Sequence, residues 1–204
     1  MTENIKNLAS YLNIEESQIP KHRRMDQVIR RLLMWLLTDI RNGILYLVDP
    51  GSLYEKIIKK ANRILEDYPA DEEKWDKIKA EAQLLADATL QVVGSDFSAW
   101  TKLSNLTADS RDGWSIELKK MGIAAMHAGS AWIVIEIARG DVVKAVDAAC
   151  WTAFNAACAG MVGKADEKEI AKFGVAAFQK YKEIVARKLI RLIDSSPRES
   201  RSSG

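Results

Sequence analysis

From Met121 to Gly163 the chain reads MGIAAMHAGSAWIVIEIARGDVVKAVDAACWTAFNAACAGMVG, a run of apolar and small residues with a polar break at Arg139-Gly140-Asp141. At about 100° per residue in a helix, Gly122, Ala125, Gly129, Trp132 and Glu136 share one face before the break. After it, Val142, Val146, Ala149, Ala153, Ala157 and Gly160 form a second small-residue face, with Lys144, Asp147, Trp151 and Asn155 on the other side. Two such faces let backbones approach closely. They predict a tight antiparallel helical hairpin over about 114–163, with Gly140 as C-cap and Asp141 as the next N-cap.

The same reading extends to the rest of the chain. Ile5, Leu8, Ala9 and Leu12 make one face of a short helix over Glu3 to Leu12. Val28, Leu32, Trp35, Leu36 and Ile40 belong to a long helix from Met25 to Val48. Asp49-Pro-Gly breaks it, and Ser52-Leu-Tyr-Glu55 is a capping box. The next helix, to Tyr68, carries the stripe Tyr54, Ile57, Ile58, Ala61, Ile64 and Leu65. Asp71 caps a helix with Trp75, Ile78, Ala82, Leu85, Thr89 and Val92 in alternating three- and four-residue steps, closed by Gly94. Phe97, Trp100, Leu103 and Leu106 fit a short helix over a core edge. Asp109 to Gly113 reads as a polar loop before a helix beginning near Trp114. Asp166-Glu-Lys-Glu169 starts a last helix with Ile170, Phe173, Ala177, Tyr181, Ile184, Val185 and Leu192 as its apolar side.

These elements predict an all-α, single-domain bundle of about seven helices over 1–194, with the hairpin central. Residues 1–20 are expected as a peripheral helix and turn, and 195–204 as a disordered polar tail. A composition of 48% hydrophobic and 28% charged residues is that of an ordinary globular chain. With 30 basic and 28 acidic residues the formal charge is only +2, which argues against a strongly basic nucleic-acid protein.

The amino terminus lacks the apolar core of a signal peptide. Leu32 to Leu37 is flanked too closely by charge for a membrane span, and Ile123 to Ala138 is interrupted by His127, Ser130 and Glu136. No membrane partner is therefore expected. Cys150 and Cys158 lie roughly 12 Å apart along one helix, beyond the roughly 7 Å that a disulfide spans. Reduced, buried cysteines fit a cytoplasmic protein.

Candidate chemistry is sparse. No metal site is expected: His22 and His127 are far apart in sequence, and neither Cys-x-x-Cys nor Glu-x-x-His occurs. No glycine-rich phosphate loop appears, so no cofactor is expected. Glu136 has apolar flanks. Its charged form needs a cation there, and Arg139 or Lys144 can supply one across the turn. Glu136 and His127 are the candidates for catalysis or a small-molecule pocket, and His127 with Cys150 or Cys158 is a conceivable nucleophile pair. A structural ion pair and satisfied core residues are the simpler readings. Lys21, Arg23, Arg24, Arg30 and Arg31 form a basic patch, either a solvated helix start or a phosphate contact. The rhythm from Leu8 to Ile19 suggests half a helix-turn-helix, but Pro20 comes too early in the second helix for it to read a groove.

Trp151 and Asn155, one turn apart, are the candidates for a partner-binding face. The alanine rhythm AAMHAGSAW…ARGDVVKAVDAACWTAFNAA resembles alanine-rich helical families, bacterial immunity proteins among them. That likeness covers the hairpin alone and transfers no residue's role. The sequence thus points first to a non-enzymatic interaction protein, regulatory or immunity-type, that binds another protein or itself. The alternatives are a small-molecule protein or enzyme at Glu136 and His127, and a weak nucleic-acid binder through Lys21–Arg31.

Overall fold

The computed structural model describes residues 3–19, 25–67, 71–93 and 111–195. Among these it is all-helical, with α1 (Glu3–Tyr11), α2 (Met25–Thr38), α3 (Leu53–Glu66), α4 (Glu72–Val93), α5 (Arg111–Ala138), α6 (Val142–Met161) and α7 (Glu167–Ser195). Short 3-10 turns lie at Glu16–Gln18 and Ile44–Leu47. The expected short helix over Ser95 to Thr107, the residues Lys21, Arg23 and Arg24, and positions 196–204 of the tail lie outside the described residues.

The hairpin of α5 and α6 is central: α5 packs against α4 and α6, and α6 packs against α7. Its turn is closed by two backbone bonds. Gly140 N–H donates to Ile137 O at 3.0 Å and Asp141 N–H to Glu136 O at 2.9 Å. Gly140 sits at φ +74°, the left-handed conformation this closure requires. Asp141 then begins α6, its carboxylate accepting from Lys144 N–H at 3.0 Å. One residue ends a helix and caps the next, which is why so short a turn suffices.

Small residues set the helix spacing. A Cβ on Gly129 would overlap Thr152 Oγ1 of α6 and lie 3.4 Å from Thr152 Cβ. The second predicted face is only partly used. Val142, Val146 and Ala149 are buried, Ala153 and Ala157 are half-buried, and Gly160 is exposed with open space around it. Toward its carboxyl end α6 turns its buried side to α7. There Gly174 meets Cys158 and Phe154, and a Cβ would come within 2.6 Å of both.

The Met25 to Val48 helix is shorter than its apolar pattern suggests. It ends at Thr38 because Asp39 offers a competing set of bonds, its Oδ1 accepting from Arg41 N–H at 3.0 Å and Asn42 N–H at 2.9 Å. The chain then folds back so tightly that a Cβ on Gly43 would overlap the Asp39 backbone. Ile40, expected on the apolar face, is 81% exposed. The last long-helix boundary also moves: Arg111 to Gly113, expected in a loop, already belong to α5.

The terminal helices are integral. Ile5, Leu8 and Ala9 of α1, the apolar face expected from the sequence, are buried in the core. Tyr11 Oη donates to Asp147 Oδ1 of α6 at 2.7 Å, and Tyr181 Oη of α7 donates to Asn42 O at 2.6 Å. At the other end α7 extends through Ser195. The stretch Lys119–Ala138 of α5 is long and apolar enough to cross a membrane, but 72% of its most apolar window is buried inside the bundle, as in a core helix.

Candidate functional site

Helices α6 and α7 meet along a seam that leaves aromatic surface uncovered. Trp151 is on α6 and is 48% exposed. Its ring packs edge-on against Phe154 at 5.3 Å and against Phe178 of α7 at 5.1 Å. Val175, 55% exposed, lies on the same side of α7, about 60° from Phe178 in helical projection. Gly174, between the helices, draws them close enough for Phe154 to underpin this shelf.

Asn155 does not share that surface. It is 4% exposed, although it lies one turn beyond Trp151 on α6. The expected pair of partner-facing residues reduces to Trp151.

Further along α7 an open groove of about 400 Å³ runs beside the end of α1, lined by Leu12, Asn13, Gln179, Lys182, Glu183, Ala186 and Arg187. Asn13 adopts φ +57° to close α1, its N–H donating to Ser10 O at 3.1 Å. Lys182 Nζ stands 4.3 Å from the centre of the Tyr11 ring, a cation–π contact that fixes it between the groove and the aromatic shelf. Sequence reasoning missed Tyr11 and Lys182. Tyr11's partners are remote in sequence, so no local pattern marked the pair.

Glu136 and His127 are not brought together. Nine residues on one helix place them on opposite faces, about 14 Å apart along its axis. Glu136 is 5% exposed, and its Oε1 accepts from Arg139 Nη1 at 2.6 Å. Lys144, the other proposed cation, instead pairs with Asp141 at 3.0 Å. Glu136 Oε2 and Trp132 Nε1 have no hydrogen-bond partner among the described residues.

His127 stacks on Tyr54 of α3 at 4.7 Å, with Nε2 4.0 Å from Asp49 Oδ2. Burial holds its imidazole below the ordinary value, and the attraction of Asp49 only partly opposes this. Tyr54 Oη in turn shares a short hydrogen bond with Thr89 Oγ1 of α4. His127 thus belongs to an α3–α4–α5 packing cluster.

Neither cysteine is an activated nucleophile. Cys150 is fully buried, and burial pushes its thiol up to about 12, beyond what its bond with Tyr11 offsets. Cys158 is 1% exposed and its thiol is pushed up to about 11 by burial. Both are free thiols. Of the basic patch, Arg30 is half-buried and Arg31 exposed on successive positions of α2, so they point in different directions. No group of three or more potential metal ligands occurs among the described residues.

Compared with protein-family models, curated proteins and solved structures, the chain matches none.

Proposed function

We propose that this protein is a non-enzymatic helical interaction module that binds another protein through the shelf formed by Trp151, Phe178 and Val175. The observation that carries this reading is Trp151. A large aromatic side chain held rigidly by Phe154 and Phe178, yet 48% exposed, is a preordered anchor at low entropic cost. The separation of Glu136 from His127 and the burial of both cysteines support a non-enzymatic reading. A cytoplasmic setting accompanies the reading, in keeping with two buried free thiols.

Affinity capture from the source cell with the wild type and Trp151→Ala tests it. A partner retained by the wild type and lost from the folded variant is expected. Capture unchanged by Trp151→Ala, or recovery of the monomer alone, counts against the proposal.

A further inference from the structure

Two buried polar atoms near the carboxyl end of α5, Trp132 Nε1 and Glu136 Oε2, make no hydrogen bond within the described residues. Four positions apart, they lie on one face of the helix, one turn from each other. Side chains on a helix lean toward its amino terminus, so the Glu136 carboxylate reaches back over the turn that carries Trp132. Arg139 touches both. Its guanidinium pairs with Glu136 Oε1 at 2.6 Å and stands 5.9 Å from the centre of the Trp132 ring.

The donors around the hairpin turn are committed elsewhere. The amides of Arg139, Gly140 and Asp141 donate to Ile135 O, Ile137 O and Glu136 O. Lys144 Nζ goes to Asp141 at 3.0 Å, and Arg139 meets Oε1 of the carboxylate rather than Oε2. Bulk solvent does not serve either: the Glu136 side chain is 7% exposed, and both Oε2 and the indole nitrogen are out of its reach. A carboxylate oxygen and an indole N–H hidden in this way are costly to leave unpaired.

Their chemistry restricts what can pair with both. A carboxylate only accepts and an indole only donates. A cation would satisfy Oε2 and leave the indole N–H unmet; an anion would meet the indole and be repelled by the carboxylate. One neutral molecule that accepts from Trp132 and donates to Glu136 answers both. Two polar contacts within the buried apolar stretch from Ile133 to Ile137 meet the minimum that an internal water requires. Through two hydrogen bonds of about 2.8 Å, a water links atoms up to roughly 5.5 Å apart, close to the spacing of side chains one turn apart.

We propose that the end of α5 is a binding site for one structural water, which accepts from Trp132 Nε1–H and donates to Glu136 Oε2. The Glu136 carboxylate then has one oxygen on Arg139 and the other on the water, and the indole of Trp132 is fixed through it.

The test is water-selected NMR on the full chain labelled with nitrogen-15 in its tryptophans, the Trp132 indole signal being assigned by its loss in Trp132→Phe. The indole proton should show a water cross-peak of opposite sign in NOE and ROE spectra, as a long-lived bound water gives and direct proton exchange does not. The cross-peak should persist in Glu136→Gln, whose amide oxygen still accepts, and vanish in Glu136→Leu, with the far-ultraviolet circular dichroism of both retained. Should Glu136→Leu fail to fold, a high-resolution crystal structure of the wild type decides, by density within hydrogen-bond distance of both atoms or by none. No water cross-peak in the wild type overturns the proposal, and so does one that survives unchanged in Glu136→Leu. An indole resonance that shifts in Glu136→Leu without any water contact indicates a direct bond between the two side chains and overturns the bridge.

Discussion

Gly129 of α5 faces Thr152 of α6 so closely that a Cβ on the glycine would overlap the threonine hydroxyl. Thr152 cannot easily turn away: it is fully buried, β-branched, and its Oγ1 donates to Ala148 O at 2.8 Å. Gly129→Ala therefore sets an overpacking cost of about 1–3 kcal/mol against a helix-propensity gain of about 1 kcal/mol. Net destabilisation is expected. Thr152→Ala in the same chain should relieve it, seen as a positive coupling in a urea-denaturation double-mutant cycle.

The second prediction concerns Glu136 and Arg139. The carboxylate is buried while its cation is 44% exposed, so the two sides of the pair are not equivalent. Arg139→Ala leaves the carboxylate buried without its 2.6 Å partner and should cost about 2 kcal/mol. Adding Glu136→Gln should recover part of that loss, because a neutral amide is less costly to bury. Equal denaturation midpoints for Arg139→Ala with and without Glu136→Gln would remove the ion pair as a stabilising contact.

His127 gives the fold a pH dependence with a definite sign. Its folded value lies below the ordinary value of 6.5, because burial penalises the imidazolium. The unfolded chain thus takes up the proton first as pH falls. The histidine's contribution is fully present above about 6.5 and is lost progressively as pH drops from there toward the depressed folded value. Unfolding free energy measured from pH 8 to pH 5 should decline more in the wild type than in His127→Phe, which retains a ring to stack on Tyr54.

The thiols provide a third class of measurement. With both cysteines almost fully buried and their thiols pushed up to about 12 and about 11, neither forms appreciable thiolate at pH 8. A thiol-specific reagent should label the native protein only as fast as it opens, and should label both sites at once after denaturation. Rapid labelling of either cysteine in the native state would contradict this packing.

Asp141 is expected to act as a cap whose strength depends on its charge. The Lys144 amide holds its carboxyl below the ordinary value. Its stabilisation is present above the normal carboxylate range and is lost as pH falls through the lowered value. Asp141→Ala should cost about 1 kcal/mol near neutral pH, and Asp141→Asn less, with the gap between wild type and Asp141→Asn closing in acid.

How far the sequence determined this protein can be judged residue by residue. The hairpin turn was legible because its chemistry is local: Gly140 supplies the left-handed residue, Asp141 the cap, and both act on neighbours in sequence. Helical periodicity likewise fixed the buried stripe of α3 and the small face around Gly129, since a strong apolar repeat dictates which side turns inward. The same periodicity already places Glu136 and His127 on opposite sides of α5. Tertiary structure decided what depends on remote partners. Asp39 and Gly43 ended α2 where an apolar pattern continued, because their close approach is paid for by packing around them. Asn155 and Trp151 share one side of α6 in projection, yet the first is 4% exposed and the second 48%. The contact of Tyr11 with Asp147 joins residues 136 positions apart, and no local pattern encodes such a pairing. Periodicity says which side of a helix is apolar; only the arrangement of its neighbours says how much of that side is covered.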